Sequence, residues 1–239
     1  DTVVGLDVGT TKICAMVGER INGGIRVLSI GSSPSTGLRK GIVVDADATT
    51  NSIKKALKEA EDIAGFRLMS AYVGIAGGHI NSFNGYVAIG IKDRVVREED
   101  LDRLMDYAAA VYVPVDREIL HLIPAGFKLD GHNGIKEPVG MSCEKLEANF
   151  HIVTGSLTSV QNLVRCCERA GIDVADIVLE PLASAESVLA KEEKERGVAL
   201  IDIGGGTTDI AVYKDGMLRH TAVLALGGNE VLDVRMIAA

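Results

Sequence analysis

The chain has 239 residues, 47% hydrophobic and 24% charged, a balance that excludes a disordered polypeptide and supports one large domain or two smaller ones. The formal net charge of −8 argues against a nucleic-acid backbone as partner, and any bound anion needs local donors and a cation. No apolar run is long enough to span a bilayer and the chain opens on a strand without a charged leader, so the expectation is a cytosolic protein.

Thr2–Val8, Ile13–Gly18 and Ile25–Ile30 read as strands, the last two joined by the hairpin turn Asn22-Gly23-Gly24. A helix is predicted over 49–64, with Ile53, Leu57, Ala60 and Ala64 on one face and Gly65 as its stop. The strand Ala71–Ala76 then runs into Gly77-Gly78, completing an α/β layered unit. From about Asn84 the texture changes. Gly85–Ile91 is strand-like, and Glu98–Val111 is helical until Pro114 breaks the pattern. Ile119–Ile123 and Ala125–Asp130 follow, then the turn Gly131–Gly134, the Gly/Pro-punctuated run Ile135–Met141 and the strand Glu147–Val153. Residues 84–154 are therefore expected to form a small α+β insertion.

After Gly155 the α/β pattern resumes with a helix over 158–170, stopped by Gly171. The strand Ile177–Leu179 meets Glu180-Pro181, a helix is expected over Leu182–Glu195, and a further strand begins at Val198. The four cysteines have no metal-ligand spacing and read as reduced, partly as core filler; the five histidines form no H-x-H or H-x-x-x-H pair.

One pattern occurs twice. Asp7-Val8-Gly9-Thr10-Thr11-Lys12 and Asp202-Ile203-Gly204-Gly205-Gly206-Thr207-Thr208-Asp209 each place an Asp at a strand end before a Gly/Thr turn, with a second apolar strand after it. Stripping side chains from the turn lets backbone N–H groups face an anion, and Thr hydroxyls add donors. A strand-end carboxylate suits Mg²⁺ or its waters. A single copy is more often just a hairpin; two copies could grip a nucleotide's phosphates from opposite sides, with a metal between Asp7 and Asp202. There is no G-x-x-x-x-G-K-[ST], and neither turn leads into a helix, so the expected grip is of a hairpin type.

These segments, with Leu179-Glu180-Pro181-Leu182-Ala183-Ser184-Ala185 and Leu226-Gly227-Gly228-Asn229, resemble the actin-like ATPase superfamily. Pro114–Leu120, Gly134–Met141 and Leu146–Ile152 resemble the inserted subdomain of its FtsA family of bacterial cell-division proteins, and Thr154-Gly155-Ser156 resembles that subdomain's exit. The resemblance implies an α/β, actin-like (ribonuclease H-like) ATPase fold with an inserted small α+β subdomain. Residues 1–83 and 155–196 would form the first actin-like domain, 84–154 the insertion, and 197–239 the start of a truncated second domain. ATP and Mg²⁺ would lie in the cleft between the domains. The nucleotide-binding set would be Gly9, Thr10, Thr11, Lys12, Gly204, Gly205, Gly206, Thr207, Thr208, Gly227, Gly228 and Asn229, with Asp7 and Asp202 serving the metal through water. Phosphate oxygens would meet the N–H groups of Gly9, Thr10, Thr11, Gly205, Gly206 and Thr207. Lys12 either adds a point charge or is simply solvated, and Glu180 either orients a water on the γ-phosphate or is a structural hinge residue.

Proteins of this family polymerise and recruit the tubulin-like protein FtsZ to the membrane through a C-terminal amphipathic helix. The implied location is the cytoplasmic face of the membrane at the division site, with at most slow ATP hydrolysis and no nucleic-acid partner. Residues 230–239 do not resemble the family's continuation, so the chain is expected to represent part of a longer protein. Two alternatives stay open: a pilus-assembly scaffold of the PilM type, which binds a peptide, and a metabolic kinase of the same superfamily. Ile135–Met141 favours the first reading over the pilus scaffold, and no segment suggests the acid/base residue of a sugar pocket.

Overall fold

The computed structural model describes residues 2–111 and 113–230. Thr2–Val8 (β1), Lys12–Ile21 (β2) and Gly24–Pro34 (β3) form an antiparallel meander. Strand alternation turns Val4, Leu6, Val8, Ile13, Ala15 and Val17 to one buried face. A two-residue-per-strand hairpin, Leu38–Arg39 (β4) and Ile42–Val43 (β5), leads to the helix Ala46–Ala64 (α1) and the strand Ser70–Ile75 (β6). Asp45 caps α1 by accepting from Ala48 N at 3.0 Å, so the helix starts one turn before the predicted residue 49. Gly65, at φ 80°, ends it as expected. Ile53, Ala56, Leu57 and Ala60 of α1 cover the meander, and a Cβ at Gly31 would lie 2.1 Å from Ala56 O. Gly31 is thus what lets the helix sit flush on β3.

Asn81–Gly90 (β7), the helix Glu98–Ala109 (α2), Arg117–Leu129 (β8), His132–Ile135 (β9) and Lys145–Ser156 (β10) build a second, antiparallel sheet in the order β7-β10-β8-β9. Its core centres on Leu104, Leu146, Phe150 and Ile152. β8 is one strand where two stretches were expected: Pro124, which has no N–H, is absorbed at a register shift opposite Ala148–Phe150. The tight turn falls on Asp130-Gly131, at φ 49° and 84°, so His132–Ile135 pairs as a strand in place of the expected turn Gly131–Gly134.

The helix Leu157–Ala170 (α3) and the strand Asp173–Leu179 (β11) return the chain to the first sheet, which runs β11-β6-β1-β2-β3 with β6 parallel to both its neighbours. α1 and α3 lie on the same face of it, with Cys166 and Cys167 both buried there. Next come two helices, Glu180–Val188 (α4) and Lys191–Arg196 (α5), where one helix over Leu182–Glu195 was expected. Leu189 turns extended at ψ 129°, and it packs with the small cluster around Ala185, Ala211, Tyr213 and Leu218. α4 begins ahead of Leu182 because Pro181 sits in the first turn, where no N–H is needed. Val198–Ile203 (β12), Thr208–Lys214 (β13) and Met217–Leu224 (β14) form a third, antiparallel sheet. β14 follows the turn Asp215-Gly216, both residues at positive φ, and packs against β7 and β8. The expected α/β architecture with a small α+β insertion is what the elements make. No helix among the described residues is long and apolar enough to cross a membrane.

Candidate functional site

The two Asp–Gly segments fold alike. In the first, Val8 pairs with Ile13 and Asp7 with Cys14, and Gly9 N–H donates to Lys12 O at 3.1 Å. In the second, Ile203 pairs with Thr208 and Asp202 with Asp209, and Gly204 N–H donates to Thr207 O at 2.9 Å. Each Asp therefore stands two residues before a turn closed by the same hydrogen bond. A Cβ at Gly9 would lie 2.8 Å from Lys12 O, which is why the turn needs glycine there. Gly9 N–H closes its own turn and does not face outward as expected from the sequence. Among the described residues, the N–H groups of Thr10, Thr11, Gly205 and Gly206 donate to no backbone carbonyl.

The two turns meet tip to tip. A Cβ at Gly205 would fall 1.9 Å from Thr11 Oγ1, and one at Gly206 would fall 2.9 Å from Thr10 Cγ2. Thr10 Oγ1 also accepts from Gly41 N at 3.2 Å, tying in the β4–β5 turn. Gly227, Gly228 and Asn229 lie on the second turn itself. Gly228 N–H and Asn229 N–H donate to Gly204 O and Gly205 O at 2.8 and 3.0 Å, and Thr208 Oγ1 donates to Leu226 O at 2.8 Å.

Beside the turns, a cleft of about 490 Å³ opens on the face of the first sheet opposite α1 and α3. Asp7, Lys12, Glu180, Ser184 and Asp202 all line it. Four carboxyls lie in or beside it. Burial pushes Glu180 well above the usual carboxylate range, and Asp7, Asp209 and Asp202 push further in the same direction. Asp7 is raised by partial enclosure and by Asp202, against the pull of Lys12. Burial lifts Asp209 to about 6, opposed by a Thr207 hydrogen bond and reinforced by Asp202. Such mutual repulsion marks a place that gains from a cation. A second observation agrees: Asp209 is 3% exposed, yet its Oδ1 has no hydrogen-bond partner among the described residues. Carboxylate oxygens are the donors a hard cation and its waters take, and no group of three or more His, Cys, Asp or Glu is placed to hold a metal ion directly among the described residues.

Three residues here escaped the sequence reading of roles. Ser184 Oγ donates to Asp202 Oδ2 at 2.8 Å, joining α4 to the second turn. Its signal is that it follows Glu180 by four residues on one helix face. Asp209 repeats the Asp7–Cys14 spacing after Asp202, which marks its place across from that carboxylate. Gly74 leaves the space Glu180 occupies, because a Cβ there would lie 3.3 Å from Glu180 Cγ.

Residues 77–154 match the family described as "SHS2 domain inserted in FTSA", and residues 199–233 match "Cell division protein FtsA". The second match runs a little past Asn229, where the resemblance was read to end; residues 231–239 of the tail lie outside the described residues. The chain is 48% identical over 230 residues to the cell division protein FtsA of Pseudomonas aeruginosa, covering 96% of this chain and 55% of that protein. It is 44% identical over 225 residues to that of Neisseria meningitidis, covering 94% of this chain and 54% of that protein. The chain thus spans about half the length of these curated relatives. Among solved structures, the PilM–PilN type IV pilus biogenesis complex superimposes with a TM-score of 0.71 at 15% identity, over 99% of this chain and 66% of that one, a likeness of fold alone. Over the residues it spans, this chain belongs to the FtsA family of cell-division proteins and has their actin-like ATPase fold.

Proposed function

We propose that the intact protein binds ATP with Mg²⁺ between the two glycine turns, polymerises, and links FtsZ filaments to the cytoplasmic face of the membrane at the division site. The observation that carries the nucleotide reading is the pair of identically closed turns meeting beside four carboxyls. Thr10, Thr11, Gly205 and Gly206 offer N–H groups to phosphate oxygens, and Lys12 adds a positive charge at the same mouth. Asp7 and Asp202 hold the hydrated cation, with Ser184 fixing the Asp202 carboxylate. Bound Mg²⁺ neutralises charge on the phosphates. Glu180, at the first turn of α4 and on the cleft wall, orients a water toward the terminal phosphate. Because the turn tips touch, phosphate entry has to part them, which makes opening of the cleft a step in binding.

In this reading Asp7, Lys12 and Glu180 line the cleft from the first domain, 1–83 with 155–196, Asp202 lines it from the segment that begins at 197, and 84–154 serve assembly. Membrane attachment through a C-terminal amphipathic helix and partnership with FtsZ are carried over from the family. ATP titration of the intact protein with and without Mg²⁺, followed by sedimentation with ATP and FtsZ, tests the whole reading. Micromolar, Mg²⁺-dependent binding and ATP-dependent co-sedimentation are expected. Binding indifferent to Mg²⁺, or pelleting that ignores both ATP and FtsZ, would overturn it.

A further inference from the structure

We propose that Lys40 is a further phosphate-binding residue, held by Glu230 until nucleotide arrives, so that the Lys40–Glu230 pair closes the seam between the two glycine turns. This rests on the reading of the cleft as a nucleotide site and names how access to it is controlled.

The β4–β5 turn carries Lys40 at φ 52° and Gly41 at φ 74°. Its backbone is wedged in place. A Cβ at Gly41 would lie 2.4 Å from Ala76 O and one at Gly77 would lie 3.2 Å from Lys40 O, while Gly41 N–H donates to Thr10 Oγ1 in the first turn. Lys40 is therefore fixed one residue from a hydroxyl of that turn, and its side chain is the part free to move.

That side chain crosses to the other half of the cleft. Lys40 Nζ lies 3.2 Å from Glu230 Oε1, and Glu230 Oε2 accepts from Gly227 N at 2.9 Å. Gly228 and Asn229, next in the same segment, are bonded to the carbonyls of the second turn. The contacts form a closed ring: Gly41 to Thr10, Thr10 against Gly206, Gly204 and Gly205 to Gly228 and Asn229, and Glu230 back to Lys40. The turns cannot part without straining the Lys40–Glu230 link.

The link is built to exchange. Its side chains are 37% and 33% exposed, so water screens the pair and it holds weakly. Phosphate is the stronger partner for a compact ammonium on a long stem. The cleft also lacks positive charge, since its lining holds Asp7, Glu180 and Asp202 against the single cation Lys12 among the described residues. A triphosphate entering there has more charge than Lys12 and one divalent cation can balance, and Lys40 stands beside the turns, next to the Gly41 that donates to Thr10 and paired with the Glu230 that follows Asn229.

The two partners of a mere structural latch would give matching phenotypes; here they should differ in sign. In the intact protein, Lys40→Met should weaken Mg²⁺–ATP binding about tenfold, as loss of a charged hydrogen bond does, and Lys40→Arg should restore most of it. Glu230→Gln keeps the acceptor for Gly227 N but frees Lys40, and should tighten binding about threefold, the scale of a weak exposed pair. Inorganic tripolyphosphate, which has no base, should show the same opposed changes. Equal affinity in all variants, or weakening by both Lys40→Met and Glu230→Gln, overturns the proposal while leaving the nucleotide reading intact. A parent protein that binds neither ATP nor tripolyphosphate overturns both.

Discussion

His151 Nε2 lies 2.8 Å from Thr221 Oγ1, a buried contact that ties the inserted sheet to β14 of the third sheet. Its other nitrogen, Nδ1, lies 2.9 Å from Asn84 Oδ1, so Nδ1–H donates there and Nε2 accepts from the Thr221 hydroxyl. Ser82 Oγ donates to Thr221 O at 2.8 Å, and Arg219 Nη1 donates to Ala125 O at 3.0 Å. The insertion is thus fastened to the sheet that carries Asp202, and a shift of that sheet on cleft opening would be felt by β7 and β10.

Burial pushes His151 down to about 4 from its ordinary 6.5, and His220, its ring 6.5 Å away, adds to the effect. The unfolded chain binds a proton below about pH 6.5 that the folded site refuses, so this contribution to stability is full at neutral pH. It is lost as pH falls through the window from 6.5 to about 4, and amounts to about 3 kcal/mol at most. Asp209, raised to about 6, works in the opposite sense over part of that window, so the parent curve alone is ambiguous. The informative quantity is the difference between the parent and His151→Gln in urea midpoint against pH. That difference should shrink on acidification; one that stays constant from pH 7.5 to 4.5 would rule out His151 as the source.

Thr221→Val removes the hydroxyl and keeps the shape, stranding His151 Nε2 without its donor. A loss of about 1–3 kcal/mol follows from leaving a buried acceptor unpaired. Phe150→Ala, by contrast, empties the core of the inserted sheet, where Phe150 is fully buried, and should cost about 3–5 kcal/mol. If Thr221→Val were neutral in chemical denaturation, the polar fastening would contribute nothing and the two sheets would be held by packing alone.

The repeated Asp–Gly turns were legible in sequence because their residues are local: the Asp, the glycines and the closing hydrogen bonds lie within a few positions of each other. So were α1, α3 and the strands of the first meander, where apolar spacing and glycine stops agree. What stayed hidden depends on distant contacts. Ser184 reaches Asp202 only once α4 packs on β12, and Leu189 breaks the expected helix because it fills a cluster built from β13 and β14. The β4–β5 hairpin has two residues per strand, too few to carry a period, yet it seats Lys40 at the turns. β14 has a local sign in the turn Asp215-Gly216, both residues at positive φ.

Gly205 tests the meeting of the turns. Any side chain there collides with Thr11, 1.9 Å from the position of a Cβ, so Gly205→Val has to force the tips apart or distort the second turn. Asp202→Asn leaves the shape and removes the charge that suits a cation. In calorimetric titrations of the intact protein each should weaken Mg²⁺–ATP binding at least tenfold, which is about 1.4 kcal/mol. The two should part in the absence of Mg²⁺, where Asp202→Asn loses little further and Gly205→Val remains impaired. Parent-like affinity in both variants would remove the second turn from the site.

Ser184 separates holding a carboxylate from merely filling space. Its hydroxyl donates to Asp202 Oδ2 at 2.8 Å from a helix whose first turn also carries Glu180. Without that bond Asp202 is free to rotate, and its cation-facing geometry is no longer fixed before binding. Ser184→Ala should therefore raise the Mg²⁺ concentration needed for half-maximal ATP binding by about tenfold, the lower end of what loss of such a supporting bond costs a metal site. At saturating Mg²⁺ the ATP affinity should return to nearly the parent value, and Ser184→Thr, which keeps the hydroxyl, should behave like the parent throughout. A packing role would predict the reverse pattern: a uniform loss of affinity at every Mg²⁺ concentration, with Thr as disruptive as Ala. Titrating ATP binding across Mg²⁺ for the three proteins decides between them.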